Sequence, residues 1–349
     1  MKKRIIAIVC MIVLAAMLMA CAAQGTQPPE TPVPSAQGSP GTAAQLPTVL
    51  PTQTATPTPE PTPTPDPTLK IGVESEAVMA LQKRLSELGY LKIDEFTTKY
   101  GPATQRAVTL FQKQNALSAD GIAGEQTLSR IYADDAKECT LPLSGIVIGI
   151  DPGHQAKGNS ATEPQAPDSP VKKAKVSSGA DGKNTGTPEY KVTLAVGLKL
   201  RDLLEENGAE VVMTRESSDV DISNKQRAQL FNDAGVDLAV RLHCDGVDDS
   251  SVHGALMLVP SGPYTEGIAG QSRAAGEAIL SAFVDETGAK NRGISERDDQ
   301  TGFNWSSVPV CNMEMGCLSN GNEEELLISD DYQQKCAQGV LQGILDYFA

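Results

Sequence analysis

The chain has 349 residues, of which 40% are hydrophobic, enough for about two domains with cores of their own. Its 29 basic and 44 acidic residues give a formal net charge of -15 at pH 7. This acidity excludes a basic nucleic-acid-binding surface. It also means that attachment to an anionic lipid or polymer requires a specific anchor or binding site rather than bulk charge.

The first residues have the pattern of an export signal. Residues 1–4 include three basic side chains, residues 5–19 form an apolar run that is short for a membrane span, and Cys21 follows a small residue at the end of that run. Residues 18–21 resemble the lipobox of bacterial lipoproteins, in which the cysteine is acylated and becomes the new N-terminus. We therefore predict a lipoprotein signal peptide at residues 1–21 with Cys21 lipidated. The alternatives are an uncleaved anchor and an ordinary signal cut nearby.

Residues 22–68 are predicted to be a linker rich in proline and threonine. The stretch has almost no large apolar side chain, and every second residue from Pro57 to Pro67 is a proline, so it cannot bury a core. Alternating proline favours an extended chain of about 3.1 Å per residue. The composition predicts a stiff stalk, although an unstructured, protease-sensitive tail is compatible with the same residues.

Residues 69–135 predict a small domain of three helices. Apolar side chains spaced by three or four positions indicate an amphipathic helix over 77–88, which Gly89 ends. A second helix begins with a proline and covers 102–114, and a third, shorter one begins near Gly124.

From residue 143 onward, apolar runs of strand length alternate with amphipathic segments of helix length. Strands are predicted at residues 144–150, 210–215, 236–242, 254–260 and 308–313, and helices at residues 189–206, 223–234, 268–285 and 332–348. This alternation is typical of an α/β sheet flanked by helices. In such sheets the functional site lies at the edge formed by the strand ends. The polar insertion between Gln155 and Pro188 is either a mobile flap or a solvated loop.

Four side chains with catalytic or metal-binding chemistry lie in loops or at the ends of these elements: His154, Glu189, His243 and Glu314. Two imidazoles and a carboxylate with one open position suit a catalytic zinc ion, and hydrolysis then needs a second carboxylate to handle protons. Each residue alone is weak evidence, because a histidine after a strand is often structural and a glutamate in a first helical turn is a natural partner of the helix dipole. The apolar neighbours of Glu314 favour a raised pKa and hence acid/base chemistry.

The other histidine and the cysteines have simpler interpretations. His253 precedes a strand, and we expect no functional role for it. Cys244 could bind zinc, but in a strand its side chain points away from that of His243. Five cysteines remain beyond the signal, namely Cys139, Cys244, Cys311, Cys317 and Cys336. Their odd number leaves at least one thiol free, and the lack of a C-x-x-C spacing argues against a zinc ribbon or redox pair, so we expect mostly small buried side chains.

The helical segment carries three blocks of characteristically spaced residues. They are Val78, Leu81, Gln82, Leu85, Leu88, Gly89 and Tyr90; then Thr104, Ala107, Val108, Phe111 and Gln112; then Asp120, Gly121, Ile122, Gly124, Thr127 and Leu128. These blocks resemble the peptidoglycan-binding-like module that accompanies many wall hydrolases, although residues 95–101 depart from its usual Asp-Gly-x-Phe-Gly. The resemblance implies that residues 69–135 bind peptidoglycan, and the alternative is a helical spacer with no ligand.

A closer resemblance covers residues 143–349. It rests on residues 150–154, 189–195, 208–215, 227–228, 242–243 and 309–320. These segments resemble the zinc-dependent N-acetylmuramoyl-L-alanine amidases of the amidase 3 type, which have a mixed α/β sheet flanked by helices. Departures from the family pattern are Cys244 and Asp245, where it usually has Ala-Asn, and Cys317, where it often has an aromatic residue.

The resemblance implies a mechanism and a place in the cell. His154, Glu189 and His243 would bind Zn²⁺, and Glu314 would be the catalytic carboxylate in hydrolysis of the amide between N-acetylmuramic acid and L-alanine. With Cys21 lipidated, the enzyme would sit at the outer face of the bacterial cytoplasmic membrane and reach into the cell wall. The alternatives are a catalytically inactive peptidoglycan-binding scaffold and a zinc peptidase that cuts elsewhere in the stem peptide.

Overall fold

The computed structural model describes residues 68–349. The predicted signal peptide, the predicted lipidation site at Cys21 and the predicted linker up to residue 67 lie outside the described residues. Within residues 68–349, no helix has both the length and the apolar character needed to cross a bilayer.

Three helices form the first domain: α1 (Glu76–Glu87), α2 (Pro102–Gln114) and α3 (Glu125–Ile131). Each begins within one residue of the position predicted from the sequence. Their apolar faces meet in one core, where the rings of Tyr90 and Phe111 pack edge to face with centroids 5.1 Å apart. The helical periodicity alone therefore located this domain.

Buried polar side chains join these three helices. Gln82 of α1 donates its side-chain N–H to Thr104 Oγ1 of α2 at 2.9 Å. Gln112 of α2 donates to Thr127 Oγ1 of α3 at 3.1 Å. A buried amide must be paired to be tolerated, so these four residues of the resemblance serve the fold of the domain itself.

The second domain contains eight strands and six helices among the described residues. The strands are β1 (Val147–Pro152), β2 (Asn159–Pro164), β3 (Lys172–Val176), β4 (Glu210–Met213), β5 (Leu238–Asp245), β6 (Ala255–Pro260), β7 (Asn291–Arg297) and β8 (Val310–Cys317). The helices are α4 (Glu189–Glu206), α5 (Asn224–Ala234), α6 (Glu266–Thr287), α7 (Thr301–Asn304), α8 (Gly321–Leu327) and α9 (Asp330–Phe348). Every helix and strand that the sequence predicted is present, with shifts of up to four residues at the ends.

Six of the strands form one sheet in the order β4-β1-β5-β8-β6-β7. Neighbouring strands are parallel except for β6 and β8, which are antiparallel. The predicted mixed α/β sheet is thus confirmed. Because β1, β5 and β8 are mutually parallel, their carboxyl ends meet at one edge of the sheet.

Helices cover both faces of this sheet. Ile148 and Ile150 of β1 pack into the core that α4, α6 and α9 cover. Val147 belongs to the core on the opposite face together with Phe231 of α5. A Cβ on Gly149 would come within 2.7 Å of the Phe231 ring, so glycine allows this helix to approach the strand closely. Burial on both faces explains why β1 reads as an uninterrupted apolar run.

The insertion between Gln155 and Pro188 forms an antiparallel pair of strands, β2 and β3. The indole N–H of Trp305 donates to the Pro164 carbonyl at 2.9 Å, and Lys173 Nζ lies 3.1 Å from an Asp299 carboxylate oxygen. The sequence analysis expected either a mobile flap or a solvated loop here, and it did not predict the two strands of this hairpin. Its strands are largely polar and exposed, so no apolar alternation signals them.

Within residues 68–349 the two domains belong to one compact unit but keep separate cores. Arg106 of α2 pairs with Glu210 of β4 at 3.1 Å. Lys92 Nζ donates to the carbonyl of Pro142 at 3.3 Å. These contacts between the domains are polar, whereas each domain's interior is apolar.

Candidate active site

Three parallel strands carry three of the four predicted site residues to the same edge of the sheet. His154 follows β1 by two residues, His243 lies near the end of β5, and Glu314 lies in β8. His243 and Glu314 are direct partners in the β5–β8 register, so their side chains leave the sheet on the same face. The fourth residue, Glu189, begins α4.

Histidine and carboxylate atoms converge at this edge. His154 Nε2 lies 3.1 Å from Glu189 Oε2, and His243 Nδ1 lies 3.0 Å from Glu189 Oε1. The two ring nitrogens are 3.1 Å apart, and one ligand atom from each residue lies within 4.8 Å of the others. Two imidazole nitrogens and a carboxylate around one point can hold a metal ion with a coordination position to spare. The structure brings the three predicted ligands together, and their role as ligands stays a prediction.

Backbone groups orient these donors. Glu189 accepts hydrogen bonds from the Cys244 N–H at Oε1, 2.9 Å, and from the Ala180 N–H at Oε2, 2.8 Å. His154 Nδ1 lies 3.0 Å from the carbonyl oxygen of Ser177. A carbonyl can only accept, so Nδ1 carries the proton and Nε2 presents its lone pair to the cluster. Such outer contacts set the tautomer that a metal site requires.

Two glycines leave room for the cluster. A Cβ on Gly153 would lie 2.3 Å from Cε1 of His243. A Cβ on Gly179 would lie 2.7 Å from Glu189 Oε2 and 2.9 Å from Cδ2 of His154, and this glycine also has φ +86°. Backbone therefore packs directly against the cluster at two positions, where even an alanine would displace a ligand side chain.

The local environment sets the charges of the cluster. Burial by itself would raise the pKa of the Glu189 carboxyl, but hydrogen bonds to His154 and His243 outweigh it and hold that pKa well below its usual value. Burial lowers the pKa of His243 to about 4. At neutral pH the cluster therefore combines an ionised carboxylate with a neutral His243 imidazole, which are the forms that bind metal ions.

Glu314 lies beside the cluster in a different electrostatic environment. Burial raises the pKa of its carboxyl well above the usual value, and the nearby carboxylates of Glu189 and Asp245 raise it further. Asn312 donates its amide N–H to Glu314 Oε1 at 3.1 Å. A carboxyl with a raised pKa can accept a proton from water and release it again near neutral pH.

Two buried guanidinium groups hold the loop that leads from β1 to His154. Arg215 donates to the carbonyl oxygens of Pro152 and Gly153 at 2.8 and 3.0 Å. Arg227 donates to those of Pro152 and His154 at 3.1 and 3.0 Å. His154 has φ +60°, a left-handed conformation that is unfavourable for residues other than glycine. The guanidinium contacts stabilise this conformation, and the conformation directs the imidazole toward the cluster.

Asp151 is the counter-charge for these arginines. Its Oδ1 accepts from Arg227 Nη1 at 2.6 Å and from Thr214 Oγ1 at 2.7 Å, and its Oδ2 accepts from Arg241 Nε at 2.8 Å. Burial by itself would raise the pKa of the Asp151 carboxyl, but the two guanidiniums and Thr214 hold it well below its usual value. Sequence analysis assigned no role to Arg241, although an arginine inside an apolar strand signals a buried partner.

The remaining candidates from the sequence lie outside the cluster. His253 is exposed, and its Nδ1 lies 2.9 Å from the Ser251 carbonyl oxygen. The Cys244 side chain is buried in the core, 2% exposed, as strand alternation predicted. All five cysteines of residues 68–349 are free, and all but the partly exposed Cys139 are buried, which confirms the expectation for the group.

Comparison with known families gives the site a context. Residues 148–346 match the family described as N-acetylmuramoyl-L-alanine amidase, and residues 74–131 match a peptidoglycan-binding domain family. The first match covers more than half of the chain. The chain belongs to this amidase family. The amidase is therefore a cell-wall hydrolase that acts on peptidoglycan, outside the cytoplasm, and its family is typically metal-dependent.

Curated relatives agree with this assignment. The amidase is 30% identical over 235 residues to the germination-specific N-acetylmuramoyl-L-alanine amidase of Bacillus subtilis, a match that covers 62% of this chain and 85% of the relative. It is 24% identical over 218 residues to an N-acetylmuramoyl-L-alanine amidase of Mycobacterium tuberculosis, covering 59% of this chain and 88% of the relative.

A solved structure shares the fold. The N-acetylmuramyl-L-alanine amidase of Mycobacterium smegmatis superposes with a TM-score of 0.55 at 22% identity, covering 59% of this chain and 98% of that chain. At this level of identity the match concerns the fold of the sheet domain alone. It supports the mixed sheet and its flanking helices.

The charge cluster around Asp151 is testable through stability. We expect Asp151→Asn to lower the free energy of unfolding by about 3–5 kcal/mol, because it leaves Arg227 and Arg241 buried without a counter-charge. Urea unfolding followed by circular dichroism measures the loss. The control is Glu216→Gln, which breaks a surface ion pair with Arg201 and should cost no more than about 1 kcal/mol.

The pH dependence follows from the lowered pKa of Asp151. A carboxylate with a lowered pKa in the folded state contributes stability that is present above its unfolded pKa and is lost as the pH falls. The difference between wild type and Asp151→Asn should therefore stay constant at neutral pH and shrink only below the usual value of 3.8. A loss no larger than that of Glu216→Gln would contradict the proposed dependence on Asp151.

Proposed function

We propose that this amidase is a zinc enzyme, lipid-anchored through Cys21, that cleaves the amide between N-acetylmuramic acid and the L-alanine of the stem peptide. The observation that carries the proposal is the cluster of His154, Glu189 and His243 beside Glu314. One ligand atom from each of His154, Glu189 and His243 lies within 4.8 Å of the others. The carboxylate of Glu314 follows in β8, where Glu314 is the register partner of His243.

The chemistry of the donor set favours zinc over other common ions. Mg²⁺ and Ca²⁺ prefer sites made entirely of oxygen ligands, whereas this cluster offers two imidazole nitrogens and one carboxylate. Three protein ligands with an open position are typical of catalytic rather than structural zinc. Neutral His243 keeps one ring nitrogen without a proton, and the proton on His154 Nδ1 leaves the facing Nε2 of His154 free to bind.

In the proposed mechanism the protein's own groups hold the metal and move the proton. Zinc, when bound, supplies Lewis-acid polarisation of the scissile carbonyl and of the attacking water. The Glu314 carboxylate accepts a proton as the water oxygen forms its bond to the carbonyl carbon. As the bond between that carbon and the alanine nitrogen breaks, Glu314 returns the proton to the nitrogen. The amine leaves, and the lactyl carboxyl group stays on the sugar and releases its remaining proton to the solvent.

The helical domain and the anchor complete the proposal. Residues 69–135 would hold the enzyme on peptidoglycan, which the family match at residues 74–131 supports. Residues 18–21 would place it on the outer face of the cytoplasmic membrane, and two acyl chains bind firmly because each buried CH₂ contributes about 0.8 kcal/mol.

Two alternative functions, an inactive scaffold and a zinc peptidase, can be distinguished from the amidase by the peptide that is released. An inactive scaffold is disfavoured because the ligand cluster and Glu314 are all present and adjacent. A zinc peptidase shares the metal chemistry and differs only in the bond it cuts. The identity of the released peptide therefore decides among the three.

The product and the metal can be tested together. Residues 68–349, incubated with muropeptides, should release stem peptides that begin with alanine, which mass spectrometry identifies. Chelation should abolish the release, and about one zinc per chain should restore it. His253→Ala should behave as wild type. Peptides that begin at another residue would indicate a peptidase, no release would indicate a scaffold, and full activity in excess chelator would contradict the zinc proposal.

The two glutamates should fail in different ways. Glu314→Gln keeps the shape of the side chain but cannot take the proton of water, so the rate should fall by about 10²–10⁴ at unchanged zinc content. Glu189→Gln should lose rate together with zinc and recover partly in excess zinc, because it weakens the metal site. Kinetics at measured zinc occupancy distinguish the two. More than about a tenth of the wild-type rate in Glu314→Gln, or its recovery with added metal, would overturn the assignment.

Anchoring through Cys21 is tested by fractionation. Cys21→Ser should move the protein from the membrane fraction to the soluble exported fraction, or leave an unprocessed precursor. Added salt should not detach the wild type, because the net charge of -15 gives it no bulk attraction to an anionic membrane. A wild-type protein that is soluble after export would show that residues 18–21 are not a lipobox.

A further inference from the structure

Asn312 is a polar residue in an otherwise apolar strand, two positions before Glu314. It is 3% exposed, and its register partners are Arg241 in β5 and Leu258 in β6. The other buried side chains of β8 around it are apolar. An apolar residue would fit this position, so the buried amide needs an explanation.

The hydrogen bonds of this amide single out one partner. Asn312 Nδ2 donates to Glu314 Oε1 at 3.1 Å, and within residues 68–349 its side chain makes no other hydrogen bond. Its Oδ1 is buried with no partner among the same residues. The NH₂ group of the amide therefore faces Glu314, and its oxygen faces away from it. The position therefore keeps a half-satisfied buried amide, which is unfavourable for stability.

The hydrogen bond from Asn312 is also the contact that holds the Glu314 carboxylate. Among the described residues, no other hydrogen bond reaches either oxygen of its carboxylate. Residues two apart in a strand project from the same face, so the amide approaches the carboxylate from within its own strand. With Oε1 held by Asn312, Oε2 is the oxygen left for the reacting water.

We propose that Asn312 is a positioning residue that fixes the carboxylate of Glu314 for proton transfer. The proposal rests on the proposed role of Glu314 as the proton acceptor. It explains why β8 carries a buried amide at a cost to stability. Displacement of a catalytic group by about 1 Å can slow a reaction by about 10²-fold. A structural role makes the opposite prediction, because a structural amide stabilises the fold.

The test compares rate with stability in the full-length protein. Asn312→Leu replaces the amide with an apolar side chain of similar size. We expect kcat to fall at least about tenfold, equivalent to about 1.4 kcal/mol of barrier, while KM and zinc content stay within about twofold. Because removal of the orphaned buried oxygen offsets the loss of the one donor to Glu314, Tm should stay close to that of wild type. A rate within about twofold of wild type would overturn the proposal.

Asn304 of α7 provides a matched control. It is also a buried asparagine whose Oδ1 has no partner in the described residues, but its Nδ2 donates to the backbone carbonyl of Asp298 at 2.8 Å. Asn304→Leu should lower Tm and leave kcat unchanged, which is the signature of a structural amide. If Asn312→Leu shows that same signature, its role is structural and the proposal is wrong.

A double variant shows whether Asn312 acts through Glu314. In the Glu314→Gln background, adding Asn312→Leu should change the residual rate less than twofold, because the group that it positions is gone. A further tenfold loss would mean that Asn312 acts by another route, and the proposal would fail. The two assignments fail separately: an active Glu314→Gln removes the role of Glu314 itself, whereas an inactive Glu314→Gln with an active Asn312→Leu removes only that of Asn312.

Discussion

The site depends on one buried charge cluster, Asp151 between Arg227 and Arg241. The carboxylate lies near the end of β1, one arginine comes from α5 and the other from β5, so three elements meet at a single anion. Arg227 also holds the carbonyls of the loop that follows. Each charge is buried, and removal of Asp151 would leave both arginines without a counter-charge. The cluster thus ties the end of the sheet to the left-handed conformation that directs His154.

Around that anchor, close packing leaves little freedom to the proposed ligands. Glycines at 153 and 179 let backbone approach the His243 ring and the Glu189 carboxylate, where any side chain would collide. The Cys244 and Ala180 amides hold the carboxylate from either side. These contacts restrict the three side chains to one arrangement, which lowers the entropic cost of binding an ion.

Two glutamates at one sheet edge acquire different chemistry from their surroundings. Glu189 accepts hydrogen bonds from backbone amides and imidazoles, which keep it ionised despite burial. Glu314 has one amide donor and two neighbouring carboxylates, so burial and repulsion raise its pKa. When two neighbouring carboxyl groups have well-separated pKa values, one stays ionised and the other can carry a proton.

The sequence by itself determined the helices of the first domain and the alternation of strands and helices in the second. It also indicated His154, Glu189, His243 and Glu314 as candidates, which the structure brings to one edge of the sheet. These follow from local periodicity and from residue types at element ends, which need no knowledge of distant contacts. The polar hairpin of β2 and β3, the tautomer of His154, and the roles of Arg241 and Asn312 were decided only by the tertiary structure. The reason is physical: a buried polar side chain takes its role from its partner, and Asp151 and Arg241 are 90 positions apart in the chain.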